Sequence, residues 1–214
     1  GARSTTTQGA STEQPSEKQP MTTGAANGEV QSTTTQQSPV NDTSCTIIEA
    51  PADGDCLFWI FNRIHGKTDP GQLRRVVARA VEENVNGWRA WLEDDETPTS
   101  YKERITKEGN FGGQLEITIL AWAMGLQAHV YNRITHAWIA AGGKPQSKRH
   151  IILATKGETE QNRSWHYDLI CPHDGKVWWE DGPNTTQKGG IEKFVRDLDS
   201  NKKDNEKETD HDGQ

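Results

Sequence analysis

The sequence predicts an α+β domain over residues 45–198, set between two polar ends, and three observations lead there. The first is an uneven composition along the 214 residues. Residues 1–44 contain 22 Ser, Thr or Gln and seven apolar residues, none of them Leu, Ile or aromatic. Such a stretch cannot bury enough surface to offset chain entropy, so it is expected to be disordered. Residues 199–214 have no apolar residue, six acidic and three basic ones, and read as a disordered charged tail. The intervening 154 positions hold 60 apolar residues, enough for one ordinary core. The second observation is helical periodicity in the first half of that segment. The third is a series of short strand-like runs in its second half. Helices first and strands afterwards favour α+β over a regular βαβ series.

A helix is expected over 56–64, where Cys-Leu-Phe-Trp-Ile-Phe-Asn-Arg-Ile is apolar nearly all round and implies burial on most sides. The next has a capping residue, Asp69, a first-turn Pro70, and Leu73, Val76, Val77, Ala80, Val81 and Trp88 at helical spacing. It should end near Leu92, before an acidic run and Pro98. A short helix is expected over 101–107. A third strong helix opens at Gly112-Gly113 and closes at Gly125, with an interior so apolar that it should be central. Strand character follows at 127–132, 137–140, 150–154, 165–171 and 176–179, with a Gly-Gly and Pro loop at 141–149. An amphipathic helix over 191–198 completes the domain. Trp88, Trp91 and Trp122 fall on helix faces and are expected in the core.

Composition excludes several classes. No apolar run approaches the roughly 18 residues of a spanning helix, and no N-terminal signal-peptide pattern is present, so no membrane partner is expected. Cys45, Cys56 and Cys171 are too few and too scattered for a disulfide framework or a four-ligand zinc site. A reduced, cytoplasmic monomer without metal or cofactor is the expectation. The core carries 19 basic and 21 acidic residues, a near-balance that gives no support to nucleic-acid binding.

Chemistry concentrates in two places. In Asp53-Gly54-Asp55-Cys56-Leu57-Phe58 a thiol stands at the first turn of a helix, near unpaired backbone N–H groups and the positive end of the dipole. Both favour thiolate, so a lowered pKa is expected. A turn containing Gly54 can aim N–H groups at an oxyanion. A lone Cys in this position is most often a small core residue. The odds change with Trp165-His166-Tyr167-Asp168, where His166 and Asp168 point to one face of a strand. Asp168 there can orient the imidazole while its other nitrogen faces a thiol.

A third motif, Phe111-Gly112-Gly113-Gln114-Leu115-Glu116-Ile117, completes an ordered set. The Asp-Gly-x-Cys-Leu-Phe run, the aromatic-Gly-Gly-x-x-Glu-Ile helix start and the final His-Tyr-Asp resemble the ovarian tumour (OTU) family of cysteine peptidases, over about 47–171. The resemblance implies a papain-like fold, a small mixed β-sheet packed against helices. It implies a deubiquitinase that cleaves after the C-terminal Gly of ubiquitin or a ubiquitin-like modifier. On it, Cys56 is the nucleophile, His166 the general base and Asp168 the residue orienting that base. Asp53 falls in the oxyanion-hole loop, with backbone N–H groups of Gly54, Asp55 and Cys56. Phe111, where many members have Trp, and Gly112 would meet the substrate tail; Trp165, from its place beside His166, reads as either packing or substrate groove. Two rival functions stay open: processing of the chain's own polyprotein, and a catalytically silent ubiquitin-binding module.

Other candidates are weaker. Gly66-Lys67-Thr68 lacks the upstream glycine of a phosphate loop, since position 61 is Phe. Cys171-Pro172-His173 has no partner pair for a metal. His129 and His136 read as structural or surface residues, and Trp178-Trp179 as either packing or groove. The chain begins with Gly1 and ends with Gln214, the residues flanking Gln–Gly bonds cut in picorna-like viral polyproteins. A viral polyprotein product acting in host cytoplasm is therefore expected, although a tag-derived Gly1 would look identical.

Overall fold

The structure, a computed structural model, describes residues 45–66, 68–155 and 166–209, with backbone alone at 140, 141 and 202–209. The stretch 1–44 expected to be disordered, and Trp165, lie outside the described residues. Strand β1 (Cys45–Ile48), which periodicity did not reveal, leads into α1 (Cys56–His65). Helix α2 (Pro70–Glu83) starts as expected, with the Asp69 carboxylate accepting the Gln72 N–H at 2.8 Å and Pro70 in the first turn. It stops well before Leu92. Asn84 leaves helical geometry and its side chain caps a new helix, α3 (Val85–Trp88), by accepting the Gly87 N–H at 3.2 Å. A single 3-10 turn, Arg89–Trp91, follows. Helix α4 (Pro98–Ile105) begins earlier than expected because Thr97 and Ser100 cap each other's N–H groups, at 3.1 and 2.9 Å. Helix α5 (Gln114–Ala123) matches its expectation closely.

Strands β2 (Gln127–Asn132), β3 (Ala137–Gly143), β4 (Arg149–Thr155), β5 (Tyr167–Pro172) and β6 (Trp179–Glu180) complete the sheet. Its order is β1-β5-β4-β2-β3, with β6 pairing the start of β4. Strands β2 and β4 run parallel and the other pairs antiparallel, so the sheet is mixed, as the resemblance implied. Gly142 and Gly143 belong to β3 rather than to the expected loop, and β6 shares only Trp179 with the run expected at 176–179.

Alternation along the central strands divides the core in two. Ile151 and Leu153 of β4, with Tyr167, Leu169 and Cys171 of β5, face α1, α2 and α5. Ile152, Ala154 and Ile170 point the other way, toward Ile191 and Val195 of the last helix, α6 (Thr185–Thr209). That helix is longer at both ends than the expected 191–198, and it continues into the segment read as a disordered charged tail. Charged pairs spaced four residues apart, Lys193–Asp197 and Glu192–Arg196, support its exposed face. Two expected core residues are exposed instead, Trp91 at 47% and Trp122 at 58%. Trp91 sits in the 3-10 turn, off the helix face assigned to it. Trp122 follows Gln114 and Thr118 at four-residue steps along the half-exposed stripe of α5.

On the α6 side of the sheet, the rings of His129 (β2) and His150 (β4) stack with centroids 5.1 Å apart. His150 Nε2 lies 2.8 Å from the Ser147 carbonyl oxygen, which can only accept. The proton of His150 is thus on Nε2, and its Nδ1 accepts from His129 Nε2–H at 2.8 Å. Burial first, then the neighbouring His150 and Lys188, pushes the pKa of His129 down from 6.5 to about 4. The unfolded chain therefore binds a proton here more readily than the folded one, and stability present above pH 6.5 is lost as pH falls through 4. At about 1.4 kcal/mol per tenfold change in proton affinity, the loss is at most about 3–4 kcal/mol. Urea denaturation at pH 7 and pH 4.5 should show it, and His129→Gln should flatten the difference.

Candidate active site

Cys56 is the first residue of α1, immediately after the Asp53-Gly54-Asp55 turn. It is buried, at 1% exposure. Its sulfur accepts the backbone N–H groups of Tyr167, the first residue of β5, and of Leu57. This joins the helix start to the strand start, with His166 the residue just before that strand. His166 Nε2 lies 3.0 Å from Asp168 Oδ1, the pairing expected from sequence, and Nδ1 is left as the nitrogen to serve a thiol. Asp168 is buried, and its carboxylate also accepts the Ala50 N–H at 3.0 Å and Arg133 Nη1–H at 3.1 Å.

One expectation reverses. The helix start does not by itself lower the Cys56 pKa, which is raised. Burial is the largest cause; the N–H bonds from Tyr167 and Leu57 pull the other way, and the Asp168 and Asp53 carboxylates push it up further. A thiolate here needs a cation close by. Cys45 and Cys171, each pushed up to about 11 chiefly by burial, are inert core thiols.

The turn before Cys56 is held by a residue that periodicity had assigned no role. Arg74 is 1% exposed. Its guanidinium pairs with the Asp55 carboxylate through Nε (2.9 Å) and Nη2. It also donates to the carbonyls of Ile105 (2.9 Å), Asn110 (2.7 Å) and Gly54 (3.3 Å), and packs over the Phe58 ring at 4.0 Å. The far Asp55 oxygen accepts the Gly109 N–H at 3.2 Å. Gly54 is required by this packing, because its φ is +80° and a Cβ would lie 1.9 Å from the Gly109 oxygen. The signal for Arg74 was present in the sequence: it shares a helix face with the buried Val77, Ala78 and Val81.

Among the described residues, the other expected ones are Asp53, Gly112 and Phe111. Asp53 Oδ1 accepts the Asp55 N–H at 3.0 Å, so that donor is engaged within the turn. Gly112 is buried against α1, where a Cβ would come within 2.8 Å of Leu57 Cδ2 and 3.2 Å of Phe58 Cε2. Phe111 is 41% exposed beside it. Glu116 is buried at the start of α5, where it accepts the Gly113 N–H and the Tyr101 hydroxyl, each at 2.6 Å. Among the described residues, no group of three or more His, Cys, Asp or Glu side chains could hold a metal.

The model of the OTU-like cysteine protease family matches residues 51–167, more than half of the sequence, from the turn before Cys56 through His166 and Tyr167. The chain belongs to this family. It is therefore an OTU-like cysteine peptidase. No curated protein matches it. An OTU domain solved in complex with ubiquitin is similar in fold at 20% identity, with a TM-score of 0.58 over 73% of this chain and 86% of that one. The viral OTU protease of Taggert virus is 18% identical, with a TM-score of 0.46 over 62% of this chain and 82% of that one. The OTU domain of Hazara virus, solved bound to ubiquitin, is 15% identical, with a TM-score of 0.45 over 60% and 81%.

Two substitutions test the turn. Arg74→Met leaves the Asp55 carboxylate and three carbonyls without their donor and should cost about 3–5 kcal/mol in chemical denaturation. Gly54→Ala forces a positive φ on a residue with no room for its methyl and should cost at least about 2 kcal/mol, measured the same way.

Proposed function

We propose that this peptidase is a thiol isopeptidase that hydrolyses the bond after the C-terminal Gly of ubiquitin or a ubiquitin-like modifier. The observation that carries the catalytic assignment is the junction of α1 and β5. There the Cys56 sulfur accepts the Tyr167 N–H while His166 is tethered to Asp168 at 3.0 Å. The similar fold solved with ubiquitin supports the choice of substrate.

Burial keeps the isolated thiol protonated, so His166 acts first as base, taking the Cys56 proton to give a thiolate–imidazolium pair. The thiolate attacks the carbonyl of the terminal Gly. The resulting oxyanion is stabilised by backbone N–H groups of the turn at Gly54 and Cys56. The imidazolium then protonates the departing amine, and a thioester remains on Cys56. Water, deprotonated by His166, releases the Gly carboxylate and restores the thiol. An ionised Asp53 opposes both thiolate and oxyanion, so its contribution is to hold the turn by accepting the Asp55 N–H. Asp168 holds the ring and balances its charge. Phe111, exposed beside Gly112 and close to the start of α1, offers an apolar wall for a Gly-Gly tail.

A ubiquitin probe bearing a C-terminal electrophile should label the protein at one residue. Cys56→Ala should abolish labelling, and Asp168→Ala should lower its rate by roughly 10²–10⁴-fold. Labelling that survives Cys56→Ala overturns the assignment.

A further inference from the structure

The carboxylate that orients His166 is itself held by a two-residue extension reaching the C-terminal helix. Oδ1 of Asp168 serves His166 and the Ala50 N–H, while Oδ2 accepts from Arg133 Nη1. Arg133 follows β2 directly and its backbone N–H bonds to Thr155 at the end of β4, at 2.8 Å. Its side chain is 3% exposed. The other edge of the guanidinium, Nε at 3.3 Å and Nη2, pairs with Asp199 of α6. One planar fork thus spans two carboxylates that lie on different elements, a geometry that Lys cannot reproduce.

We propose that Arg133 and Asp199 are positioning residues of the active site, which makes α6 a working part of the catalytic machinery. The inference rests on the reading of Cys56, His166 and Asp168 given above. Charges alternate along the row: imidazolium, Asp168, guanidinium, Asp199. With Asp199 present, two carboxylates balance two cations. Without it, the Arg133 charge falls wholly on Asp168, which then stabilises the imidazolium less, and the neutral thiol–imidazole form gains over the ion pair. The groups facing the row are Cys56 of α1, which Asp53 of the preceding turn also faces, and Tyr131 of β2, which faces Asp199. Farther along α6, Glu192 and Arg196 face Tyr131.

The test uses the full chain with Asp199→Asn, Asp199→Glu and Arg133→Lys, and Glu192→Gln as a control carboxylate on the same helix. Two readouts are taken: kcat and KM on a ubiquitin substrate, and the pH profile of Cys56 alkylation by iodoacetamide, located by mass spectrometry. Asp199→Asn and Arg133→Lys should lower kcat about tenfold with KM little changed. In Asp199→Asn, alkylation at neutral pH should fall and its rise should move to higher pH. Asp199→Glu should recover most of both, and Glu192→Gln should alter neither. If Asp199→Asn lowers the melting temperature while kcat and the alkylation profile stay as in the wild type, Asp199 is only a brace and the inference fails. If the wild type turns over no ubiquitin substrate, the substrate reading fails, and the alkylation profile alone still decides: a shift supports the positioning role, no shift overturns it.

Discussion

A single buried guanidinium decides where the Cys56 thiol stands. Arg74 reaches from the apolar face of α2 into the turn that precedes α1 and binds Asp55, while also gathering carbonyls from residues 54, 105 and 110. Desolvating an arginine is tolerable only when every donor finds a partner, so this residue fixes a geometry rather than merely adding stability. The turn it holds is nearly all backbone, with Gly54 pressed against Gly109. Rigid support of this kind is what an oxyanion site needs, because its donors must already be aimed when charge develops.

The mixed sheet supplies the second half of the site by strict alternation. Tyr167 turns toward α1 and lends its N–H to the thiol, while Asp168 turns to the α6 side and is buried there. Neighbouring residues of one strand thereby serve opposite layers of the core. His166 stands immediately before the strand they begin.

Much of this was legible in the sequence. The capping signals of Asp69-Pro70 placed α2, and the i, i+2 spacing of His166 and Asp168 anticipated their hydrogen bond. The ordered motifs led to the family. What escaped had physical reasons. Strand β1 has four residues and no room for a period. The break at Asn84 depends on a side-chain cap that competes with a continuous apolar stripe. The raised Cys56 pKa was missed although burial of 56–64 was expected, because whether burial outweighs the N–H groups at the helix start is decided by the packed fold. Arg133 sits in a turn without any pattern of its own, and its meaning comes only from residues 35 and 66 positions away.

Those separations also set an order of assembly. The Asp55–Arg74 contact closes a loop of 19 residues, whereas Asp168 must meet Ala50 across 118. Distant contacts close after near ones, since the entropy of the intervening chain must first be reduced by other structure. Loop-closure entropy therefore favours the Asp55–Arg74 contact over the meeting of Asp168 with Ala50. A chain in which only the nearer contact has formed holds the Cys56 turn without the Asp168 carboxylate beside His166.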